Sequence, residues 1–381
     1  MKHPTQAVIF CGGLGTRLHP HTLSTPKPMI ECNGRPFLWY LLDQVSEQGI
    51  TKFLLLTGYL SEVIVDYFGD GGQFGWSIEY ANGPTEWDTG RRFWEAKHLI
   101  SKTFILLYSD NFSVFSLPKL TKKNLDMGKA ITLTVVEKSP GNIEIGGNGF
   151  VEKYVEKRCS SVKYVEIGYM LGNRDKILSA YTEKDCNFSE IIESLVSQGD
   201  CNALVQCDGY RSVSDPERWL LTKEYLLEKK IILIDRDGVI NKKAEQGCYI
   251  TKWTNFNWIE ETLEAMKSLS ECGFSFIIIT NQACVGRKLA TQDQIDLIHS
   301  KMFNYLSKKN ITVLKIYVCP HHWDEKCFCR KPMPGLFLDA QKDLSLNFSK
   351  MFFIGDQISD KEAADKLDLK YLNIENREKL N

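Results

Sequence analysis

The sequence predicts an α/β protein of two domains, each with a largely parallel sheet covered by helices on both faces. Three observations carry this. Short apolar, β-rich runs alternate with amphipathic stretches along nearly the whole chain, the pattern of βαβ units. Two of those runs end directly in a dense polar motif, and open α/β sheets bind their ligands beyond the carboxyl ends of strands. The length of 381 residues suffices for two or three domains at about 150 residues each.

Taken in order, the first run is Ala7–Cys11, bounded at once by GGLGTRL. Lys52–Thr57, Thr103–Tyr108 and Ile131–Val136 follow as further strands. The charged, helix-like segment Pro216–Lys230 separates the halves and places the boundary near Glu228, giving domains 1–228 and 229–381. Ile231–Ile234 opens the second half and runs into DRDGVIN. Phe274–Ile279, Val313–Val318 and Met351–Ile354 continue that half, with Gln292–Lys308 as one of its amphipathic helices.

Composition narrows the function classes. Forty-seven Lys+Arg against 48 Asp+Glu leave a net charge of −1, which gives no footprint for nucleic acid or an anionic membrane surface. No apolar stretch reaches the roughly 18 residues that span a bilayer. The N-terminus MKHPTQAVIF lacks a secretory signal, so a cytoplasmic enzyme is expected. Twelve cysteines are too dilute for a disulfide scaffold, and three of them gather around a histidine, which reads as free thiols plus one metal site.

In the N-terminal half, Gly12, Gly13, Gly15 and Thr16 follow a strand, where backbone N–H groups can approach a phosphate chain without a Cβ in the way. Arg17, and Lys27 in Pro26-Lys27-Pro28-Met29, would add charged donors. Alone, such a loop could be a tight turn with solvated basic residues. The combination GGxGTRL…PKPM resembles the sugar-1-phosphate nucleotidyltransferase family over residues 5–225, which implies a Rossmann-like fold. That resemblance implies further roles: Asp110 in Tyr108-Ser109-Asp110-Asn111 binds Mg²⁺, and Thr89-Gly90 lies beside the nucleobase. In Glu156-Lys157, Lys157 is placed near the sugar phosphate, and Gly168 contacts the sugar. One departure is visible. The family's D-I-G-T-P, whose Asp is a second metal ligand, reads Ser212-Val213-Ser214-Asp215-Pro216 here.

In the C-terminal half, Asp235 and Asp237 lie one residue apart after a strand, a spacing that can aim two acids at one substrate. By itself DxDG could be a calcium loop or a turn. The ordered set DxDG, Thr280-Asn281-Gln282, Lys331-Pro332 and Gly355-Asp356…Asp360 resembles the haloacid-dehalogenase-type phosphatases over residues 229–374. The resemblance implies a second Rossmann-like fold, with Asp235 as nucleophile and Asp237 as acid and base. Thr280 and Lys331 then bind the phosphoryl oxygens, Asn281 and Arg330 serve substrate binding, and Asp235, Asp356 and the Asp237 carbonyl hold Mg²⁺, with Asp360 orienting.

The run Cys319-x-His321-x5-Cys327-x-Cys329 packs three thiolates and an imidazole into 11 residues, which suits a closed, structural Zn²⁺ site; His322 is the bystander. C-P-H…C-x-C-R-K-P-x-P-G resembles the zinc-loop phosphatases, of which a heptose-bisphosphate group and a histidinol-phosphate group both fit. The short gap favours the second group and the fusion partner the first. The pairing therefore implies a bifunctional enzyme that dephosphorylates heptose 1,7-bisphosphate and couples heptose 1-phosphate to a nucleotide from an NTP, GTP on family grounds. Its product would feed lipopolysaccharide, capsule or S-layer glycans. The alternatives are the same chemistries on another sugar or polyol phosphate, or an N-terminal half that only binds nucleotide sugar.

Overall fold

A computed structural model of the chain describes residues 4–207, 209–245 and 247–374, the Glu156 side chain excepted. The chain divides into two compact units, Met1–Leu226 and Leu227–Asn381. The division follows helix Pro216–Leu226, which ends four residues before the charged segment does.

The first unit is organised by a nine-stranded mixed sheet. Strand Gln6–Cys11 is flanked in parallel by Lys52–Thr57 and Thr103–Tyr108, and Ser77–Asn82 continues the sheet beyond Lys52–Thr57. Tyr164–Asn173 runs antiparallel to Thr103–Tyr108 and also to Ile131–Glu137. The chain thus builds outward in one direction and then returns to the other side of Gln6–Cys11, so the topology switches at that strand's carboxyl end. Alternation decides the core. Ala7, Ile9, Phe53 and Leu55 pack into the layer on one face, and Val8, Phe10, Leu54 and Leu56 into the layer on the other. Both faces are covered, which is why these strands read as unbroken apolar runs.

The second unit holds five parallel strands in the order Val313–Cys319, Ser275–Asn281, Ile231–Ile234, Phe352–Gly355 and Lys370–Asn373. Here the first strand of the unit is the central one, and it again marks the switch. Leu233, Ile277, Ile279 and Phe353 fill one core layer; Ile232, Ile234, Phe276 and Ile278 fill the other. Strand Ser275–Asn281 runs two residues further than its apolar stretch, so Thr280 and Asn281 are still held by sheet pairing. Among the described residues, no helix is long and apolar enough to cross a membrane.

Candidate active sites

In the second unit, Asp235 and Asp237 leave the end of the central strand and face a pocket of about 360 Å³ that Thr280, Asn281, Arg330, Lys331 and Asp360 also line. The turn needs a glycine. Gly238 takes φ +91, where L side chains are strained, and a Cβ there would collide with Asp356.

Asp235 is 5% exposed and Lys331 3% exposed. Lys331 Nζ lies 2.8 Å from Asp235 Oδ1 and 2.7 Å from Asp360 Oδ1, and donates to the Ile279 carbonyl at 2.9 Å. Asn281 clasps the Lys331 backbone: its Oδ1 accepts from the Lys331 N–H and its Nδ2 donates to the Lys331 carbonyl, both at 3.1 Å. Burial pushes the Asp235 carboxyl up, opposed by the Lys331 charge. Burial pulls Lys331 down, but the two carboxylates outweigh it and leave its ammonium more basic than usual. Asp360 Oδ2 accepts from the N–H groups of Asp356 and Gln357, both at 3.1 Å, which fixes the turn after strand Phe352–Gly355.

The same cluster fits a hard divalent cation. Ligand oxygens of Asp235, Asp356 and Asp360 lie within 4.8 Å of one another. Asp356 Oδ1 is buried without a hydrogen-bond partner. Lys243 Nζ pairs with the other Asp356 oxygen. Carboxylate oxygens left over in this way are the donors that Mg²⁺ prefers.

Asp237 differs from Asp235. It accepts from Arg236 Nη2 at both oxygens (2.9 and 2.8 Å), from Asn241 Nδ2 at 2.9 Å and from Gln282 Nε2 at 2.7 Å. Burial alone would raise its pKa; the Arg236 charge and these donors outweigh it and hold the carboxyl below the ordinary range. Sequence reasoning assigned no role to Arg236, Asn241 or Gln282. DRDGVIN and TNQ contain them, but nothing in the spacing shows that they converge on one carboxylate.

The cysteine–histidine cluster assembles beside this pocket's wall. Cys319 ends its strand, and Sγ–Sγ separations among Cys319, Cys327 and Cys329 are 3.4 to 3.6 Å, with His321 Nδ1 3.1 Å from Cys329 Sγ. Four soft donors within 4.8 Å of one another fit a tetrahedral Zn²⁺. The His322 ring turns away and accepts from the Asp324 N–H at 3.2 Å. Arg330 follows the cluster directly, lines the pocket, and keeps Nη1 buried without a partner.

In the first unit a pocket of about 420 Å³ opens at the switch point, lined by Gly12, Gly13, Gly15, Thr16, Arg17, Lys27, Thr89 and Asp110 among others. Lys27 Nζ meets Asp110 Oδ2 at 2.6 Å. Ser212 pairs in register with Asn111, so the chain departure sits next to Asp110 as a buried hydroxyl. Asp215 instead caps helix Pro216–Leu226, accepting from the Arg218 N–H at 2.9 Å. One carboxylate with substrate phosphates is still a set that Mg²⁺ uses.

Gly90, Lys157 and Gly168 stand outside that lining. Gly90 is buried and donates to the Cys186 carbonyl at 3.0 Å, which makes it a packing position; Lys157 is exposed on strand Val151–Cys159. Gly168 is buried beside Tyr108 and Asn111, at φ +89. Thr89 Oγ1 accepts from the Phe188 N–H at 2.9 Å.

Two residues without an assigned role complete this site. Arg92 is 4% exposed and donates to the carbonyls of Thr57 (2.6 Å), Pro84 (2.7 Å), Gly83 (3.3 Å), Gly12 and Thr85 (both 3.4 Å). A Cβ on Gly12 would collide with this guanidinium, so Gly12 is required by the charge beneath it. Glu166 lies near Asp110, and burial pushes its carboxyl up to about 7.

Comparison with known proteins finds two families, whose matches overlap at residues 230–258. Residues 6–258 match the Nucleotidyl transferase family, and residues 230–375 match the family described as Polynucleotide kinase 3 phosphatase. The chain is 35% identical over 140 residues to the D-glycero-beta-D-manno-heptose-1,7-bisphosphate 7-phosphatase of Yersinia pestis, covering 35% of this chain and 73% of that protein. It is 33% identical over 144 residues to the D-glycero-alpha-D-manno-heptose-1,7-bisphosphate 7-phosphatase of Photorhabdus laumondii, covering 36% and 77%. The crystal structure of HddC from Yersinia pseudotuberculosis shares the fold at a TM-score of 0.51 and 23% identity, covering 57% of this chain and 98% of that one. The chain therefore belongs to the nucleotidyl transferase family, and joins to that enzyme a second one, a phosphatase of the heptose-bisphosphate phosphatase family.

Proposed function

We propose that the two units act in succession on one sugar. The C-terminal unit removes the 7-phosphate from a D-glycero-D-manno-heptose 1,7-bisphosphate. The N-terminal unit then transfers GMP from GTP to the resulting heptose 1-phosphate and releases pyrophosphate. The observation that carries this reading is the buried Asp235–Lys331–Asp360 constellation beside Asp356, in a unit whose relatives are heptose-bisphosphate phosphatases.

In the phosphatase, an Asp235 oxygen attacks phosphorus and the bond to the sugar oxygen breaks, leaving an aspartyl-phosphate. Asp237 gives its proton to the departing oxygen. Water then attacks phosphorus, Asp237 takes the proton back, and phosphate leaves with Asp235 restored. The donors around Asp237 keep it ionised, the form from which it takes the proton in the second step; an incoming phosphate dianion raises its proton affinity, so that it carries the proton needed for the first. Lys331 and Thr280 hold the phosphoryl oxygens, Asn281 fixes Lys331, and Arg330 reaches the rest of the substrate. Mg²⁺, held by Asp235, Asp356 and the Asp237 carbonyl, would neutralise phosphoryl charge. Zn²⁺, held by Cys319, His321, Cys327 and Cys329 with no open position, would be structural.

In the transferase, a sugar-phosphate oxygen attacks the α-phosphorus in line and pyrophosphate departs. Gly12, Gly13, Gly15 and Thr16 offer backbone donors to the phosphates, and Arg17 and Lys27 offset their charge. Thr89 serves the nucleobase end, Lys157 and Gly168 the sugar end, and Asp110 would hold Mg²⁺.

A substrate panel on the intact chain tests the reading. Phosphate release is expected from heptose 1,7-bisphosphate, with the preferred anomer set by offering both. Pyrophosphate release from heptose 1-phosphate is expected to be fastest with GTP among the four NTPs. Asp235→Asn should lower phosphate release by about a thousandfold or more, as loss of a nucleophile does, and leave pyrophosphate release unchanged. Equal loss of both activities would overturn the assignment of one chemistry to each unit.

A further inference from the structure

Between the two acids of the DxD turn, Arg236 is completely buried. A guanidinium only donates and stays charged, so its partners must present lone pairs. Nη2 donates to both Asp237 oxygens, while Nη1 lies 2.9 Å from Nε2 of His299; Nε has no partner. Because arginine cannot accept, His299 Nε2 must carry the lone pair. The imidazole is therefore neutral, with its proton on Nδ1.

His299 is 7% exposed and rides on helix Gln292–Lys308, whose Ile295, Ile298, Met302 and Leu306 are fixed in the core. Burial and the Arg236 charge pull its pKa down to about 4, in keeping with the neutral form. A simple counter-charge for Arg236 would need only Asp237. The imidazole adds one directional lone pair on the opposite nitrogen, which fixes how the guanidinium plane is turned and hence where Nη2 meets Asp237.

We propose that His299 and Arg236 are positioning residues for phosphate release: the imidazole orients the guanidinium, and the guanidinium sets the carboxylate plane of Asp237. This rests on Asp237 as the proton-transferring group proposed above. Asn241 donates to Oδ1 and Gln282 to Oδ2 of the same carboxylate, so with Arg236 every lone pair is met and the plane is fixed from three sides.

The test uses the full-length, metal-loaded chain with heptose 1,7-bisphosphate. His299→Leu, which removes the acceptor, should lower kcat by about 10- to 100-fold, as misplacement of a reacting group does, with KM unchanged. His299→Gln keeps a carbonyl acceptor and should recover most of that loss. Wild-type kcat in His299→Leu, or equal loss in both variants, would overturn the proposal. Should His299→Leu fail to fold, ¹⁵N-resolved imidazole spectra of the unmutated protein at neutral pH still decide: an Nε2-protonated or doubly protonated ring sinks it. Asp235→Asn and Asp237→Asn run alongside. Retained activity in those two would break the reading of the site itself, which a silent His299 variant would not.

Discussion

Arg92 and Arg236 are both buried guanidinium groups, yet they are balanced differently. Arg236 sits against a carboxylate, whereas Arg92 is satisfied by five backbone carbonyls from three separate segments. Removing Arg92 leaves those carbonyls buried without a donor, at about 1–3 kcal/mol for each one not reached by water. Arg92→Met should therefore destabilise the first unit by at least about 2 kcal/mol in denaturant titration. It should also raise KM for the NTP, because Gly12 rests on that guanidinium. A stable variant with unchanged KM would refute this. His299 makes a pH prediction. Its folded pKa of about 4 lies below the unfolded value, so the unfolded chain binds the proton more readily and stability rises with pH between the two. The contribution, up to about 3 kcal/mol from burial of the neutral ring, is present above roughly pH 6.5 and lost as pH falls toward 4. Arg236, Asp237 and Asp296 are the charged groups acting on the ring. Urea titrations at pH 7.5 and 4.5 should show a smaller acid loss in His299→Gln than in the unmutated chain.

At the scale of elements, the zinc loop is stitched to its surroundings by backbone contacts. Gly335 N–H donates to the Phe328 carbonyl at 3.0 Å, and Gly286 N–H to Pro320 at 2.8 Å. Arg287 also lies over the Trp323 ring at 4.9 Å. The loop therefore links the start of helix Gly335–Leu344 to the segment after strand Ser275–Asn281, and presents Arg330 and Lys331 between them. Withdrawing zinc with a strong chelator and then restoring Mg²⁺ should lower phosphate release at least tenfold and lower the melting temperature of the second unit, while pyrophosphate release persists. Retention of phosphate release in zinc-stripped protein, verified by elemental analysis, would contradict that role. This element was legible in the sequence because all four ligands lie within 11 residues, where chemistry and spacing can be read together. Arg92 and His299 were not legible. Arg92 gathers carbonyls from 7 to 80 residues away and His299 meets Arg236 63 residues away, and only the fold brings these groups together. Ser212 is the intermediate case: the departure from D-I-G-T-P is visible in the letters, but its place beside Asp110 depends on the two-residue pairing with Asn111.

At the scale of the whole molecule, the same rule is used twice. In each unit the first strand becomes an interior one, and its carboxyl end carries the first motif, GGLGTRL in one case and DRDGVIN in the other. The alternation of apolar runs made this architecture readable, because parallel strands buried on both faces have no polar side to confuse them. Strand order was not readable, since period and propensity say nothing about which strand lies beside which. That order has a consequence for how the protein is made. In the second unit the first strand, Ile231–Ile234, waits for Phe352–Gly355 as one of its two neighbours. Asp235 leaves the ribosome early in its unit, whereas Lys331 and Asp356 arrive much later, so hydrolytic competence waits for the later strands of that unit. By then the sheet around Gln6–Cys11 has all its strands, so every nascent chain carries a finished transferase before it carries a phosphatase.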